Sequence, residues 1–349
     1  MSHASAGAAD PVAAAREVLR EAALARPCTV VAAMSGGADS AALALVLSRL
    51  STELDMHVAG AHYDHGIRDD ASRAAERAAV REQCARLGLA LHEGGAAAGE
   101  LQELRRTTGR SLEELARERR YAFLLGVAAR CGAAAVAVAH HLDDNLETIL
   151  MRALQGSLRG GGIAVRSGPV LRPLLGVRRQ ALRRCVAAAG LPVMDDPGNA
   201  DPAMLRNRVR GLLPKLEAAV PGAARNLPLL AHGGAAAGRD LAARARRAVP
   251  WRYACDARRG VHYRVAARAF WGVPPGVRQA ALYQAWDAVT SRGLSGRRDR
   301  ARLPRRFLQP LLEDRPLPRR LDLSGHGVRI FCGPRSVIVA RHRDPSPEP

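Results

Sequence analysis

The chain has 349 residues, of which 48% are hydrophobic but only 3% aromatic, and its formal net charge is +20. That length holds two domains, and the core must be built from Ala, Leu and Val rather than from rings. The excess charge is almost all arginine, with Lys215 the only lysine; it points to a polyanionic partner, nucleic acid ahead of an acidic membrane surface. Cys28, Cys84, Cys131, Cys185, Cys255 and Cys332 stand far apart, with no CxxC pair and no Cys/His cluster at zinc spacing, and read as reduced thiols. No apolar run is long enough to span a bilayer, and the first residues lack a leucine-rich signal core, so a soluble, cytoplasmic protein is expected.

In chain order, Asp10-Pro11 reads as the N-cap and first turn of a helix. "CTVVAAM" (28–34) is a short strand that runs into glycines, and "ADSAALALVLSRL" (38–50) has helical period. "MHVAGAHYDH" (56–65) is a second strand, followed by an amphipathic helix that stops at Gly88. "LALHEG" is a third strand, and Ser111 with Glu114 forms a capping box that opens the next helix. "AAAVAVAHH" (133–141) is a fourth strand, and "DDNLETILMRAL" (143–154) a helix with Leu146, Ile149, Leu150, Ala153 and Leu154 on one stripe. One more strand and helix fall in 169–189. The alternation predicts a doubly wound parallel α/β sheet. Beyond it, 204–247 and 276–314 are helical and arginine-rich, and 319–342 alternates like a β-hairpin. Pro214 and Pro221 mark the expected boundary, giving a domain over 1–216 and a smaller, mainly helical α+β domain over 217–349.

The chemistry concentrates in "SGGADS", residues 35–40. A Walker loop needs a lysine here and a dinucleotide fingerprint needs GxGxxG; neither is present. Gly36, Gly37 and Ala38 still let backbone amides approach an anion, Ser35 and Ser40 add hydroxyls, and the following helix offers its positive end. Asp39 would repel phosphate unless a divalent cation stands between them. In "AHHLDDN", the groups of His140, His141, Asp143 and Asp144 are too close in sequence to converge on one zinc ion; a carboxylate on magnesium with a histidine on phosphate fits better.

These stretches together resemble a family. "SGGADS" resembles the pyrophosphatase loop of the ATP α-hydrolases, the PP-loop superfamily. "HYDHGIR" (62–68), "LEELARERRYAFL" (112–124), "AHHLDDNLETILMRALQGS" (139–157), "RPLL" (172–175) and "NADPAMLRNRVRGLLPKL" (199–216) are similar, in collinear order, to the motifs of tRNA(Ile)-lysidine synthetases. Asn145 stands where that family usually has Gln, and Gly161 where it usually has Leu.

The resemblance implies ATP and Mg²⁺ as cofactors, with ATP on Ser35, Gly36, Gly37, Ala38, Asp39, Ser40, Asp64, His65 and Arg68. It implies the metal on Asp39 and one of Asp143 or Asp144, and catalytic roles for Asp39, Arg120, His140 and Asp144. Arg117, Arg206, Asn207 and Arg210 would meet substrate or tRNA. The implied reaction adenylates the wobble cytidine of a tRNA(Ile) with a CAU anticodon and then joins free L-lysine to it. The basic second domain would hold the tRNA, with runs such as "GRRDR" (296–300) on phosphates and Trp251, Tyr253, Tyr263 and Trp271 nearby for stacking. A homodimer is an assembly the resemblance leaves open. The rival readings are a tRNA thiolation enzyme, disfavoured by the missing CxxC, and a basic RNA-binding protein with a degenerate nucleotide domain, disfavoured by the intact loop.

Overall fold

The computed structural model of the chain describes residues 10–154, 161–194, 205–256, 259–291, 305–313, 321–325 and 328–341. Contacts divide it into two compact units whose sequence boundary lies between Ala231 and His232.

The first unit opens with α1 (Pro11–Glu21), whose N-cap Asp10 accepts the amides of Val12 and Ala13. Then come β1 (Cys28–Met34), α2 (Ala38–Ser51), β2 (Met56–Asp64), α3 (Asp70–Arg86), β3 (Ala90–Gly95), α4 (Glu100–Thr108) and α5 (Leu112–Arg130). They are followed by β4 (Ala135–Ala137), α6 (Leu142–Leu154), β5 (Arg166–Ser167), β6 (Val170–Leu171), α7 (Arg179–Ala188), α8 (Leu205–Ala219) and the start of α9 (Ala223–Ala248). Half of the expected capping box forms: Ser111 Oγ accepts the Glu114 amide at 3.2 Å, but the Glu114 carboxylate turns to Arg110 at 2.9 Å.

The sheet order is β3-β2-β1-β4-β6-β5, parallel throughout except for β5, which runs antiparallel to β6. Consecutive residues of β1 feed opposite faces. Val30 and Ala32 join Leu19 of α1, Leu43 and Leu47 of α2 and Leu182 and Val186 of α7 on one face; Val31 joins Leu124 and Val127 of α5 on the other. A strand covered on both sides needs a continuous apolar run, which is what "CTVVAAM" supplies. Each fully buried leucine in these layers stabilises the fold by about 1.5–3 kcal/mol. The chain order reverses between β1 and β4, so the carboxyl ends of β1, β2 and β4 frame a crevice at the switch point.

The second unit holds the rest of α9, then β7 (Arg252–Asp256), β8 (Gly260–Ala266), α10 (Ala267–Trp271), α11 (Pro275–Ser291), α12 (Arg305–Leu312), β9 (Leu321–Gly325), β10 (Val328–Cys332) and β11 (Ser336–Arg341). Its sheet is antiparallel, β7-β8-β11-β10-β9. Phe270, Leu282, Trp286, Leu308, Val337 and Val339 form its core.

Three sequence expectations change here. Contacts divide the chain at Ala231/His232, not at the expected 216/217: Pro214 sits inside α8, and Pro221 separates α8 from α9 without ending the first unit. The expected hairpin over 319–342 is three strands of a larger sheet. Trp251 and Trp271 pack on the apolar core and Tyr263 is buried in it, leaving Tyr253 as the exposed ring of that group, at 49%; Trp251 Nε1 also donates to the Ala281 carbonyl at 2.9 Å. The "GRRDR" run lies outside the described residues.

Candidate nucleotide site

The loop between β1 and α2 is built for close approach of an anion. Gly36 has φ +74°, and a Cβ there would meet Glu76 and Val80 of α3 at 3.4 and 3.7 Å, so glycine suits both the backbone and the space. Gly37 is the N-cap of α2 and no side chain caps that helix. Its leading amides therefore have neither an intrahelical acceptor nor a capping oxygen, and a phosphate oxygen can supply one. The two serines act differently from expectation. Ser40 Oγ accepts from the Ser35 amide and hydroxyl, both at 3.1 Å, and donates to the Gly37 carbonyl at 2.9 Å. Both hydroxyl protons are thus spent inside the loop. The serines shape it rather than present donors to the cleft.

A residue that sequence reasoning missed holds the loop from behind. Gln83 of α3 is fully buried, and its Nε2 donates to the Gly36 and Pro192 carbonyls at 3.0 and 2.7 Å; the Met194 amide also donates to Gly36. Nothing in "RAAERAAVREQCARLG" marks this glutamine, because its partner lies 47 residues away.

The crevice encloses about 510 Å³, within the size range of small-molecule sites. Ser35, Gly37, Ala38, Asp39 and Ser40 form one wall; Asp64 at the end of β2, His65 and Arg68 after it, Arg120 of α5 and His140 after β4 line it too, as do Arg179 and Arg183 of α7. Gly36 stands behind the wall, contributing its carbonyl to the buttress just described. Within "HYDHGIR", His62 is buried and its ring nitrogen Nδ1 contacts the Met34 carbonyl at 3.2 Å, tying β2 to the end of β1. Asp64 accepts the Gly66 amide at 2.8 Å and the Arg73 guanidinium at 2.9 Å. Burial pushes its carboxyl up, but those partners outweigh it and hold it below its ordinary value. Arg68 lies 3.5 Å from Glu76. Arg120 is stacked 5.6 Å from the Tyr121 ring, and burial lowers its pKa. Arg117 is exposed, 4.9 Å from the same ring, and it is not among the residues lining the crevice.

The histidines divide sharply. Burial, with Arg120 adding to it, lowers His65 to about 4, and burial opposed by Asp144 lowers His140 to about 4. Both are neutral at pH 7, so His140 is a hydrogen-bonding group there rather than a cation. Each has a buried Nδ1 with no hydrogen-bond partner among the described residues. His141 behaves oppositely. Burial disfavours its charge, yet Asp39, Asp144 and Asp143, at 3.5, 3.6 and 3.8 Å, raise its pKa.

Of the carboxylates that line the crevice, Asp39 is the one in the loop itself; Asp64 and Glu76 already face Arg73 and Arg68. Burial pushes its pKa up, but His141 and then Arg179 and Arg183 bring it below the ordinary value. Its Oδ1 is buried without a hydrogen-bond partner among the described residues. That orphan oxygen fits one position of a hard cation whose other positions are water and phosphate, the habit of Mg²⁺. Asp143 and Asp144 do not line this crevice. Asp143 accepts the Arg179 amide at 2.7 Å and lies 3.3 Å from Arg178, so it caps the start of α7. Asp144 accepts the His141 amide at 3.0 Å and Arg206 at 2.6 Å. Their oxygens are already engaged. Among the described residues no group of three or more His, Cys, Asp or Glu side chains is arranged to hold a metal by itself.

Arg206 and Arg210 are also engaged. Both grip Glu147, a fully buried carboxylate of α6, at 2.6 and 2.7 Å, which clamps α8 onto α6. Asn207 sits between them on α8. The substitution at Asn145 finds its reason nearby. Asn145 Oδ1 accepts the Ile163 amide at 2.7 Å, and a Cβ on Gly162 would come within 1.9 Å of it. Arg152 donates to the Gly161 and Gly162 carbonyls. The glycine segment is thereby fastened to α6. "RPLL" is structural as well: Arg172 is buried against the Ala164 carbonyl at 2.8 Å, and Leu174 and Leu175 enter the core.

The model for the PP-loop domain matches residues 12–216, more than half of the chain. Proteins named tRNA(Ile)-lysidine synthase are similar to part of this chain: one from Thermus thermophilus is 41% identical over 204 residues, 58% of this chain and 38% of that protein. One from Geobacter sulfurreducens is 42% identical over 207 residues (57% and 42%), and one from Nitratidesulfovibrio vulgaris 36% over 215 residues (59% and 60%). The match thus spans between 38% and 60% of these relatives' length. In fold, the chain is similar to the U34-tRNA thiolase NcsA from Methanococcus maripaludis, with a TM-score of 0.53 at 18% identity over 64% of this chain and 77% of that one. No helix among the described residues is long and apolar enough to cross a membrane. With its uncapped glycine loop, buttressing Gln83 and switch-point crevice, this chain belongs to the PP-loop family.

Proposed function

We propose that this protein is a lysidine-forming ligase that uses ATP to join free L-lysine to the C2 of the wobble cytidine of a tRNA(Ile) with a CAU anticodon, releasing AMP and pyrophosphate. The observation that carries the reading is the pairing of an uncapped, lysine-free anion loop with Asp39, whose Oδ1 is buried without a hydrogen-bond partner. The similarity to named lysidine synthases over 204 to 207 residues supports the substrate class.

In this reading the leading amides of α2 hold the triphosphate. A magnesium ion held by Asp39 Oδ1 would neutralise charge on the phosphates. The cytidine O2 attacks the α-phosphorus and pyrophosphate leaves; then the lysine amine attacks C2, losing a proton, and AMP leaves. Arg120 offers a fixed cation and neutral His140 a hydrogen bond at the crevice wall, so the chain's work is positioning and charge stabilisation. A wobble base must be splayed from its loop to reach the crevice. The second unit, rich in arginine, would bind tRNA phosphates, and affinity would then fall steeply with salt.

Thiolation is the weaker reading, since no cysteine is among the residues that line the crevice. Cys84 and Cys332, moreover, are pushed up by burial to about 11 and about 12. Incubating the protein with ATP, radiolabelled lysine and tRNA(Ile) bearing CAU tests the proposal. Label in the tRNA that depends on ATP is expected; a tRNA that stays unlabelled while ATP is consumed would overturn it.

A further inference from the structure

The cations of α7 face the crevice, although the sequence reading gave that helix no role. Leu182 and Val186 bury the adjacent stripe of the helix in the core that α2 and the sheet share, and Arg179 and Arg183, one turn apart, line the crevice together beside the glycine loop. The helix is fixed at its start: Asp143 accepts the Arg179 amide and pairs with Arg178. Arg179 Nε lies 3.6 Å from Asp39 Oδ2, too long for a hydrogen bond, and is buried without a hydrogen-bond partner among the described residues. A buried guanidinium nitrogen is costly to leave unsatisfied. Planar guanidinium groups are suited to bidentate contact with phosphate oxygens. The other crevice arginines come from separate elements: Arg68 follows β2, Arg73 of α3 is paired with Asp64, and Arg120 belongs to α5.

We propose that Arg179 and Arg183 form the subsite for the β- and γ-phosphates, so that they receive the pyrophosphate as it leaves; this rests on the ATP-cleaving reading above. Asp143 is then a positioning residue, setting α7 against the loop. The subsite takes a diphosphate dianion or a more highly charged species, and has no contact with the adenosine end. Charge that builds on the leaving group meets two cations already in place, which is electrostatic preorganisation.

The test uses the full chain with Mg²⁺, measuring pyrophosphate, ATP and AMP affinity by calorimetry for the wild type and for Arg179→Gln, Arg183→Gln and Arg179→Lys. Each glutamine variant should weaken pyrophosphate at least tenfold and leave AMP within twofold, while Arg179→Lys recovers part of the loss. Unchanged pyrophosphate affinity, or equal weakening of AMP, would overturn the subsite and leave the ATP reading standing. A wild type that binds neither ATP nor pyrophosphate would remove both. Circular dichroism of each variant separates lost binding from lost folding. Should Arg179→Gln unfold, the Arg183→Gln comparison of pyrophosphate with AMP decides alone.

Discussion

Inside the first unit lie Asp144, Glu147, His62 and His141, all buried; among the described residues of the second unit no carboxylate is buried, and the core is carried by Phe270, Trp286 and a set of aliphatic side chains. The carboxylates buried in the first unit, Asp144 and Glu147, are met by arginines of α8, whereas the core of the second is mostly apolar, with Arg278 and His262 as buried polar side chains. Buried charge is a poor way to gain stability but a strong way to fix geometry, provided every partner is present. The difference therefore separates a unit whose polar groups must be placed for chemistry from one whose stability comes from packing.

The largest effect expected is on turnover. Asp39→Ala should lower pyrophosphate release by about 10²–10³ with the circular dichroism spectrum unchanged, since the residue stands at the first turn of α2 and not in its core. Wild-type turnover in the variant would show that the crevice carboxylate takes no part.

Next in size is the core of the second unit. Phe270 is fully buried and packs against Trp251 and Trp271, so Phe270→Ala should cost about 3–5 kcal/mol. Urea unfolding should show that loss in one transition, while the apparent KM for ATP stays within twofold. A matching rise in KM for ATP would erase the contrast between the units.

Glu147→Ala should cost about 3 kcal/mol, at the low end for a broken buried pair because Arg206 and Arg210 both reach solvent. It removes the clamp of α8 on α6. A loss below about 1 kcal/mol in urea would mean that apolar contact alone holds these helices.

The last effect is on pH. His65 and His140 sit near 4 in the folded chain against an ordinary 6.5. Between those values the unfolded chain binds more protons, so stability is full above about 6.5 and falls as pH drops towards 4. His141, raised, works in the opposite sense: its contribution is present below 6.5 and lost as pH rises through its folded pKa. Tm should fall as pH drops across the acid window, and a His65→Gln, His140→Gln double variant should flatten that slope. An unchanged slope would show that neither ring is buried in its neutral form.

Much of this was legible in the sequence. The apolar run ending at Gly36 and Gly37 announced the strand, loop and helix, and the alternation of strands with helices announced the sheet. What was not legible depends on contacts distant in sequence. Asp143 and Asp144 carry the residue types of a metal site, but the start of α7 and Arg206 occupy their oxygens. Arg206 and Arg210 looked like tRNA ligands because their buried partner, Glu147, lies about 60 residues earlier. Gln83 and the α7 arginines carried no local pattern. In the second unit β7 was missed because "RYACD" is an edge strand with little buried surface, and edge strands leave a weak alternation.

The central claim is that a PP loop without a lysine directs cleavage between the α- and β-phosphates. ATP labelled at the α-phosphate, incubated with the protein, Mg²⁺, lysine and tRNA(Ile) bearing CAU, tests it in one chromatogram. The account predicts that the label moves from ATP to AMP, with unlabelled pyrophosphate released in equal amount. Label recovered in ADP, with inorganic phosphate released, would contradict it.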